Sequence, residues 1–272
     1  MAAAQIELER CSLLGDCTQT RELRQPLLAN RVYTESDIIA AKKYKTGVTR
    51  DAVVATALEL TRQHGLYGWS VRDLVRTLGT ATSVVYTKVG GKDALCEAVV
   101  EHIFTTRELI VTDDTLSWQE WFSRTLLTLR DELVHYPGVA KWLTLHGGPT
   151  FPGVVERLHH GLEKLHAAGF GDNSVSVFAA LMTTAMNTIT MSDERLSHED
   201  DGPRDHSHIV DRLSRAGDES TAVQGFREFS EGFAGRPEES DARRREYFTL
   251  VITTMITGFA HQGDGMRTNR PN

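Results

Sequence analysis

Residues 70–95, SVRDLVRTLGTATSVVYTKVGGKDAL, constrain the fold more than any other stretch of the chain. Ser70 can cap a helix by accepting a backbone N–H, and Asp73 stands three residues later, where a carboxylate can bond back to the cap. Val71, Leu74, Val75 and Leu78 then recur at helical spacing, which predicts one short amphipathic helix. It stops at Leu78-Gly79, because glycine takes the left-handed conformation that ends a helix without a Cβ clash. A second short helix starts near Thr80 or Ala81 and reaches about Thr87, with Val85 and Val89 inward and Thr82, Ser83, Tyr86 and Lys88 outward. Two short helices across a glycine turn make a helix-turn-helix, whose second member lies in the DNA major groove.

The flanking residues extend this pattern. Gly68-Trp69-Ser70-Val71-Arg72-Asp73-Leu74, then Leu78-Gly79, Tyr86 and Lys92-Asp93-Ala94-Leu95 follow a helix of small and apolar residues. From about residue 49 to residue 100, without a gap, the chain resembles the tetracycline-repressor-like (TetR) family of bacterial transcription regulators. Two departures stand out: Val89 replaces an aromatic, and Gly90-Gly91 replaces a polar or proline pair before Lys92. Both loosen the turn into the fourth helix without removing a DNA-facing group. The resemblance implies an all-α fold, with an N-terminal three-helix DNA-binding domain and a helical body that binds an effector and dimerises.

The net charge of −7 argues against nucleic acid until it is divided along the chain. Between residues 42 and 104 the cations outnumber the anions by nine to six, a local +3, which leaves −10 for the remainder. A basic head on an acidic body suits a DNA-binding protein that resists nonspecific adhesion. Cys11, Cys17 and Cys96 have no Cys-x-x-Cys spacing, as expected in a reducing compartment. Cys96 reads either as a buried small residue or as a redox sensor. With Glu7, Glu9 and Arg10 near its start and no run of about 18 apolar residues, the chain reads as cytoplasmic, with no membrane partner.

Four regions follow: an extension over 1–46, a DNA-binding domain over 47–107, a helical body over 108–262 and a tail over 263–272. Residues 1–46 are either a mobile tail or a basic arm for the minor groove, given Arg21, Arg24, Arg31 and Lys42-Lys43-Tyr44-Lys45. The first helix covers about 49–64, with Val53, Val54, Ala57, Leu58 and Leu60 inward. Arg50 near its start is either a phosphate contact or a solvated cation. By resemblance, Arg72 lies where relatives reach a base edge or the backbone, and a guanidinium there can bind guanine with two hydrogen bonds. Thr82, Ser83 and Val84 occupy the reading end of the recognition helix. Tyr86, Thr87 and Lys88 suit phosphate contacts, and Lys92 sits at a helix N-terminus, where its ammonium and free N–H groups favour a phosphate.

In the body, Ser117 caps a helix carrying Trp118, Trp121, Phe122, Leu126, Leu129 and Leu133. A short helix over 139–145 follows. Pro152 opens another that ends at Gly169, and Asp172 or Asn173 caps a long one with Val175, Phe178, Ala179, Met182, Met186 and Ile189 inward. Residues 192–217 read as an exposed loop. Its scattered histidines and carboxylates make a poor fixed metal site. Phe248, Val251, Ile252, Met255, Ile256 and Phe259 form a final apolar stripe that something must cover.

The resemblance places a homodimer interface on 175–190 and 244–260 as a four-helix bundle. It also places a small-molecule cavity among the remaining helices. Trp118, Trp121, Phe122, Trp142, Phe178, Met182 and Met186, with His146 and Asn187 as polar contacts, are its candidate lining. The expected partners are a double-stranded operator, a second copy of the chain and a small-molecule effector. No nucleophile-elbow, phosphate-loop, dinucleotide or His-Glu-x-x-His pattern occurs, so neither catalysis nor a cofactor is expected. The competing reading is an adaptor with the same fold that binds an effector or protein rather than DNA.

Overall fold

Thr49 opens the first helix, its hydroxyl accepting the Ala52 N–H at 3.2 Å, and α1 runs Arg50–His64 until Gly65 (φ 75°) turns the chain. A computed structural model describes residues 47–197, 206–215, 220–234 and 237–268. The extension over 1–46, with its basic residues, Cys11 and Cys17, lies outside the described residues, as do His198 and residues 198–205. Among the described residues every regular element is helical.

The head continues with α2 (Val71–Leu78), α3 (Thr82–Val89) and α4 (Lys92–Thr106). α1 packs against all three. Val53, Ala57, Leu74, Val85, Leu95, Val99 and Ile103 are buried between them. Each such side chain contributes roughly 1.5–3 kcal/mol when fully removed from water, which fixes the mutual orientation of two helices too short to be stable alone.

The body comprises α5 (Trp118–Leu133), α6 (Val139–Leu145), α7 (Val154–Leu165), α8 (Ser174–Ser197), α9 (His206–Arg215), α10 (Thr221–Glu231) and α11 (Pro237–Thr268). α8 packs against α5, α6, α7 and α11, and α11 also packs against α5. At the α5–α7 crossing a Cβ on Gly161 would come within 2.5 Å of the Trp121 ring, so only glycine lets the helices approach this closely. The span Val154–Asp193 is long and apolar enough to pass for a membrane helix by length and composition. It is not one helix: a π-turn over His166–Phe170, with Gly169 at φ 95°, and a 3-10 turn over Gly171–Asn173 break it.

Several boundaries differ from the sequence reading. α4 ends at Thr106, just inside the expected head boundary at 107. α7 begins at Val154 behind Gly153 (φ 76°), not at Pro152. The expected loop over 192–217 is helical wherever it is described: α8 continues through Ser197, and α9 covers His206–Arg215. Acidic composition concealed this, because Asp193 is buried and its carboxylate accepts the Gly138 N–H at 2.9 Å. α9, in turn, has Val210 and Leu213 half-buried where it packs against α10. α11 extends to Thr268, beyond the stripe that ends at Phe259 and into the expected tail.

The inward faces of the long helices also shift. On α8 the buried row is Val177, Leu181, Ala185 and Ile189, while Ala179 is exposed and Val175 is 64% exposed. Two adjacent rows of this helix are apolar, so periodicity alone could not choose between them. On α11 the stripe is covered by the chain itself: Phe248, Ile252 and Ile256 are buried, and Val251, Met255 and Phe259 are half-buried.

Candidate nucleic-acid interface and body cavity

The α2–α3 unit is built by short-range bonds. The Ser70 N–H donates to Asp73 Oδ2 at 2.9 Å and the Asp73 N–H to Ser70 Oγ at 3.3 Å, a reciprocal capping box. Those Ser70 bonds hold the Asp73 carboxyl below its ordinary range. Gly79 takes φ 65°, ψ 40°, and its N–H bonds back to Val75 O, which ends α2 and redirects the chain into α3. Leu74 and Val85, both fully buried, lock the two helices together.

This geometry leaves a polar outer face. Arg72, Thr82, Ser83, Tyr86, Thr87 and Lys88 are all exposed, Tyr86 by 51%. Asp73 pairs with Arg76, and Arg72 has no ion pair among the described residues. The Thr87 hydroxyl donates to Ser83 O at 2.8 Å and keeps its lone pairs outward.

The other three candidates are placed differently. Val84 is half-buried and packs against the core. The Arg50 guanidinium lies 3.8 Å from the Glu101 carboxylate, which offsets its charge. Lys92 turns inward: its ammonium sits over the Trp69 ring and donates to Leu66 O at 3.0 Å. Burial pulls its pKa down to about 8. The expectation that its ammonium faces a phosphate is corrected on this point, since the side chain meets an aromatic face and a carbonyl nearer at hand.

Leu66 also joins head to body, because its N–H donates to Pro137 O at 2.8 Å. A Cβ on Gly138 (φ 87°) would meet Leu66 and Tyr67, so the turn before α6 lies directly against the head. The Asp193 carboxylate holds the Gly138 N–H and thereby links α8 to the same joint. Farther along, Arg157 donates to Phe104 O at 3.2 Å and ties α7 to the last turns of α4.

Between these elements lies a cavity of about 450 Å³. Phe178, Ala179, Met182, Thr183 and Met186 of α8 form one wall. Leu143, Thr144 and the Gly147-Gly148-Pro149 turn face them, with Val155 and Leu158 of α7 beside and Phe104, Ile110 and Leu129 closing the inner end. Of the nine expected lining residues, Phe178, Met182 and Met186 border this cavity.

The remaining six serve elsewhere. Trp118, Trp121 and Phe122 are core: Trp121 Nε1 donates to Val111 O at 2.7 Å, and Trp118 meets Phe170 edge-on at 5.2 Å. Trp142 stacks on His146 at 4.1 Å, and His146 Nδ1 lies 2.8 Å from Trp142 O. Asn187 borders a separate cavity of about 390 Å³ between α8, Phe229 of α10, Phe233 just after it, and Arg244 and Tyr247 of α11. Leu129 reads from the sequence as one of the apolar residues of α5, and nothing in the sequence singles out Phe104, Ile110, Leu143, Thr144, Leu158 or Thr183 as cavity lining. An aliphatic residue beside a void carries the same pattern as one in solid core.

No family model matches the chain. The tetracycline repressor protein class C of Escherichia coli is 30% identical over 135 residues, 48% of this chain and 60% of that protein. The chain thus spans less than two thirds of the length of this curated relative. Among solved structures, the Streptomyces coelicolor TetR family protein ActR, in complex with actinorhodin, superposes with a TM-score of 0.57 at 20% identity, covering 79% of this chain and 98% of that one. TetR from Acinetobacter baumannii AYE gives 0.56 at 20% identity, with the same 79% and 98% coverage. These structures share the helical architecture described above, so the chain has the fold of TetR-family proteins, and its sequence likeness to the curated repressor covers 48% of its length.

Proposed function

We propose that the chain is a cytoplasmic DNA-binding transcriptional regulator, a homodimeric repressor that sits on a pseudopalindromic operator and is released by a small-molecule effector. The observation that carries this reading is the outer face of α2–α3, where Arg72, Thr82, Ser83, Tyr86, Thr87 and Lys88 stand exposed on a rigidly packed support. Arg72, Thr82 and Ser83 are the candidates for base contacts, and Tyr86, Thr87 and Lys88 for phosphates. Val84, Arg50 and Lys92 shape or charge the head rather than touch the duplex.

One such head spans too few base pairs to select an operator against a genome, so two must act together. The outward residues of α8 and α11 supply a surface for pairing: Val175 (64% exposed), Met191 (55%) and Leu250 (63%), with the exposed Thr254 and Gly258 on α11. The relative's name, a tetracycline repressor, supports the repressor sense. An effector in the cavity would touch α6, α8 and Phe104 of α4 together. It would shift the head by its differential affinity for the two arrangements. A mobility shift on DNA upstream of the protein's own gene tests the reading. A retarded, salt-sensitive complex of two chains per site is expected; a folded protein that retards no DNA contradicts it. Sedimentation that shows only monomer at all concentrations removes the dimer.

A further inference from the structure

We infer that the molecule accepted by the 450 Å³ cavity is uncharged and largely hydrocarbon or aromatic, with a single hydrogen-bonding group set against Thr183. This deepens the effector reading above and rests on it only for the word effector.

The inference follows from the walls. Phe104, Leu129, Leu158, Phe178, Met182 and Met186 are typical of them, and no charged, imidazole or carboxamide side chain borders the space among the described residues. Of the two hydroxyls present, that of Thr144 already donates to Ala140 O at 3.0 Å, within its own helix. Thr144 can therefore only accept from a ligand, and Thr183 is the side chain whose hydroxyl can donate as well. The volume falls in the range of sites that enclose drug-sized molecules, roughly 300–1,000 Å³. An ionised ligand would shed its hydration there without a counter-charge, which a protein interior strongly disfavours. Methionines and phenylalanines instead adapt to flat apolar molecules, through sulfur–aromatic and edge-to-face contacts. The second cavity makes the contrast: Asn187, Ser192 and Arg244 border it, so a charged molecule would find its polar contacts there.

A matched pair of fluorescent probes tests the inference on the full-length protein without DNA. N-phenyl-1-naphthylamine is neutral and carries one N–H; 8-anilino-1-naphthalenesulfonate is the same skeleton bearing a sulfonate. The neutral probe should bind with a blue-shifted emission. Val155→Trp, at a half-exposed lining position on α7, should fill the mouth and weaken that binding at least about tenfold. The sulfonate should bind this site at least about tenfold more weakly, and whatever it retains should be unchanged by Val155→Trp. Leu158→Trp repeats the test from deeper in the cavity, and a thermal melt checks that each variant folds. Sulfonate binding as tight as that of the neutral probe and lost in the folded variants overturns the inference. So does neutral-probe binding that is absent or indifferent to both substitutions. Because no DNA is present, a failed operator assay leaves this result intact, and a failed probe assay leaves the operator assay intact.

Discussion

In the head, two eight-residue helices are oriented by bonds between residues three to five positions apart, Ser70 with Asp73 and Gly79 or Thr80 with Val75. In the body, helices of 24 and 32 residues are held by distant partners, such as Asp131 with Arg245 and Arg130 with Asp241, more than a hundred positions apart. The head is thus a rigid plate whose outer side chains are set by local chemistry. The body is an assembly whose cavity exists only because five elements meet imperfectly. Such a division suits the proposed regulator, whose reading surface would hold its shape while its body responds to a bound effector.

The comparison can be broken most forcefully at Trp121. If this residue is core rather than lining, Trp121→Ala should cost about 3–5 kcal/mol in urea unfolding, and Trp121→Phe should leave cavity binding almost unchanged. A stable Trp121→Ala protein that loses only ligand binding would return the residue to the cavity. Next in size is Asp193→Ala, which takes the carboxylate from the half-buried Gly138 N–H and should cost about 1–3 kcal/mol. Weakened repression in a protein that remains folded would mark the α8–Gly138–Leu66 joint as part of the transmission route.

In the head, Arg72→Ala should change operator preference at one base pair, by about 1–3 kcal/mol in binding, with no change in melting temperature. Ser70→Ala removes the α2 cap and should lower stability by about 1 kcal/mol.

A further effect concerns pH. Lys92 is pulled from its ordinary 10.5 to about 8, so between these values the unfolded chain holds more protons at this site than the folded one. Stability relative to Lys92→Met should therefore rise as pH increases from about 8 towards 10.5 and stay level below 8. Chemical unfolding of both proteins at pH 7, 8 and 9 checks the sign; a difference that falls over that range contradicts the buried ammonium.

What could be read along the chain follows the same division. Ser70, Asp73 and Gly79 signal their conformations because a cap and a left-handed turn need particular side chains, or none. Lys92 is legible only in part, for a complementary reason: its position at a helix N-terminus can be read along the chain, but the Leu66 carbonyl and Trp69 ring that capture its ammonium come from the loop over 66–69 before α2. In the body the elements were legible and their faces less so. Val175 and Val177 are the same residue type, yet one is exposed and the other buried, a choice made by α5, α6 and α11 rather than by α8. Size alone does not mark a lining residue, because it also draws Trp118, Trp121 and Trp142 into the core.

The central claim is that the exposed face of α2–α3 grips a duplex. Its most direct test is operator affinity measured by fluorescence anisotropy across a series of salt concentrations, for the wild-type protein and for Lys88→Ala. The account predicts a steep linear fall of log affinity with log salt, and a slope shallower by about one in Lys88→Ala whatever the operator sequence. A salt-independent affinity, or an identical slope in Lys88→Ala and Tyr86→Phe alike, would contradict it.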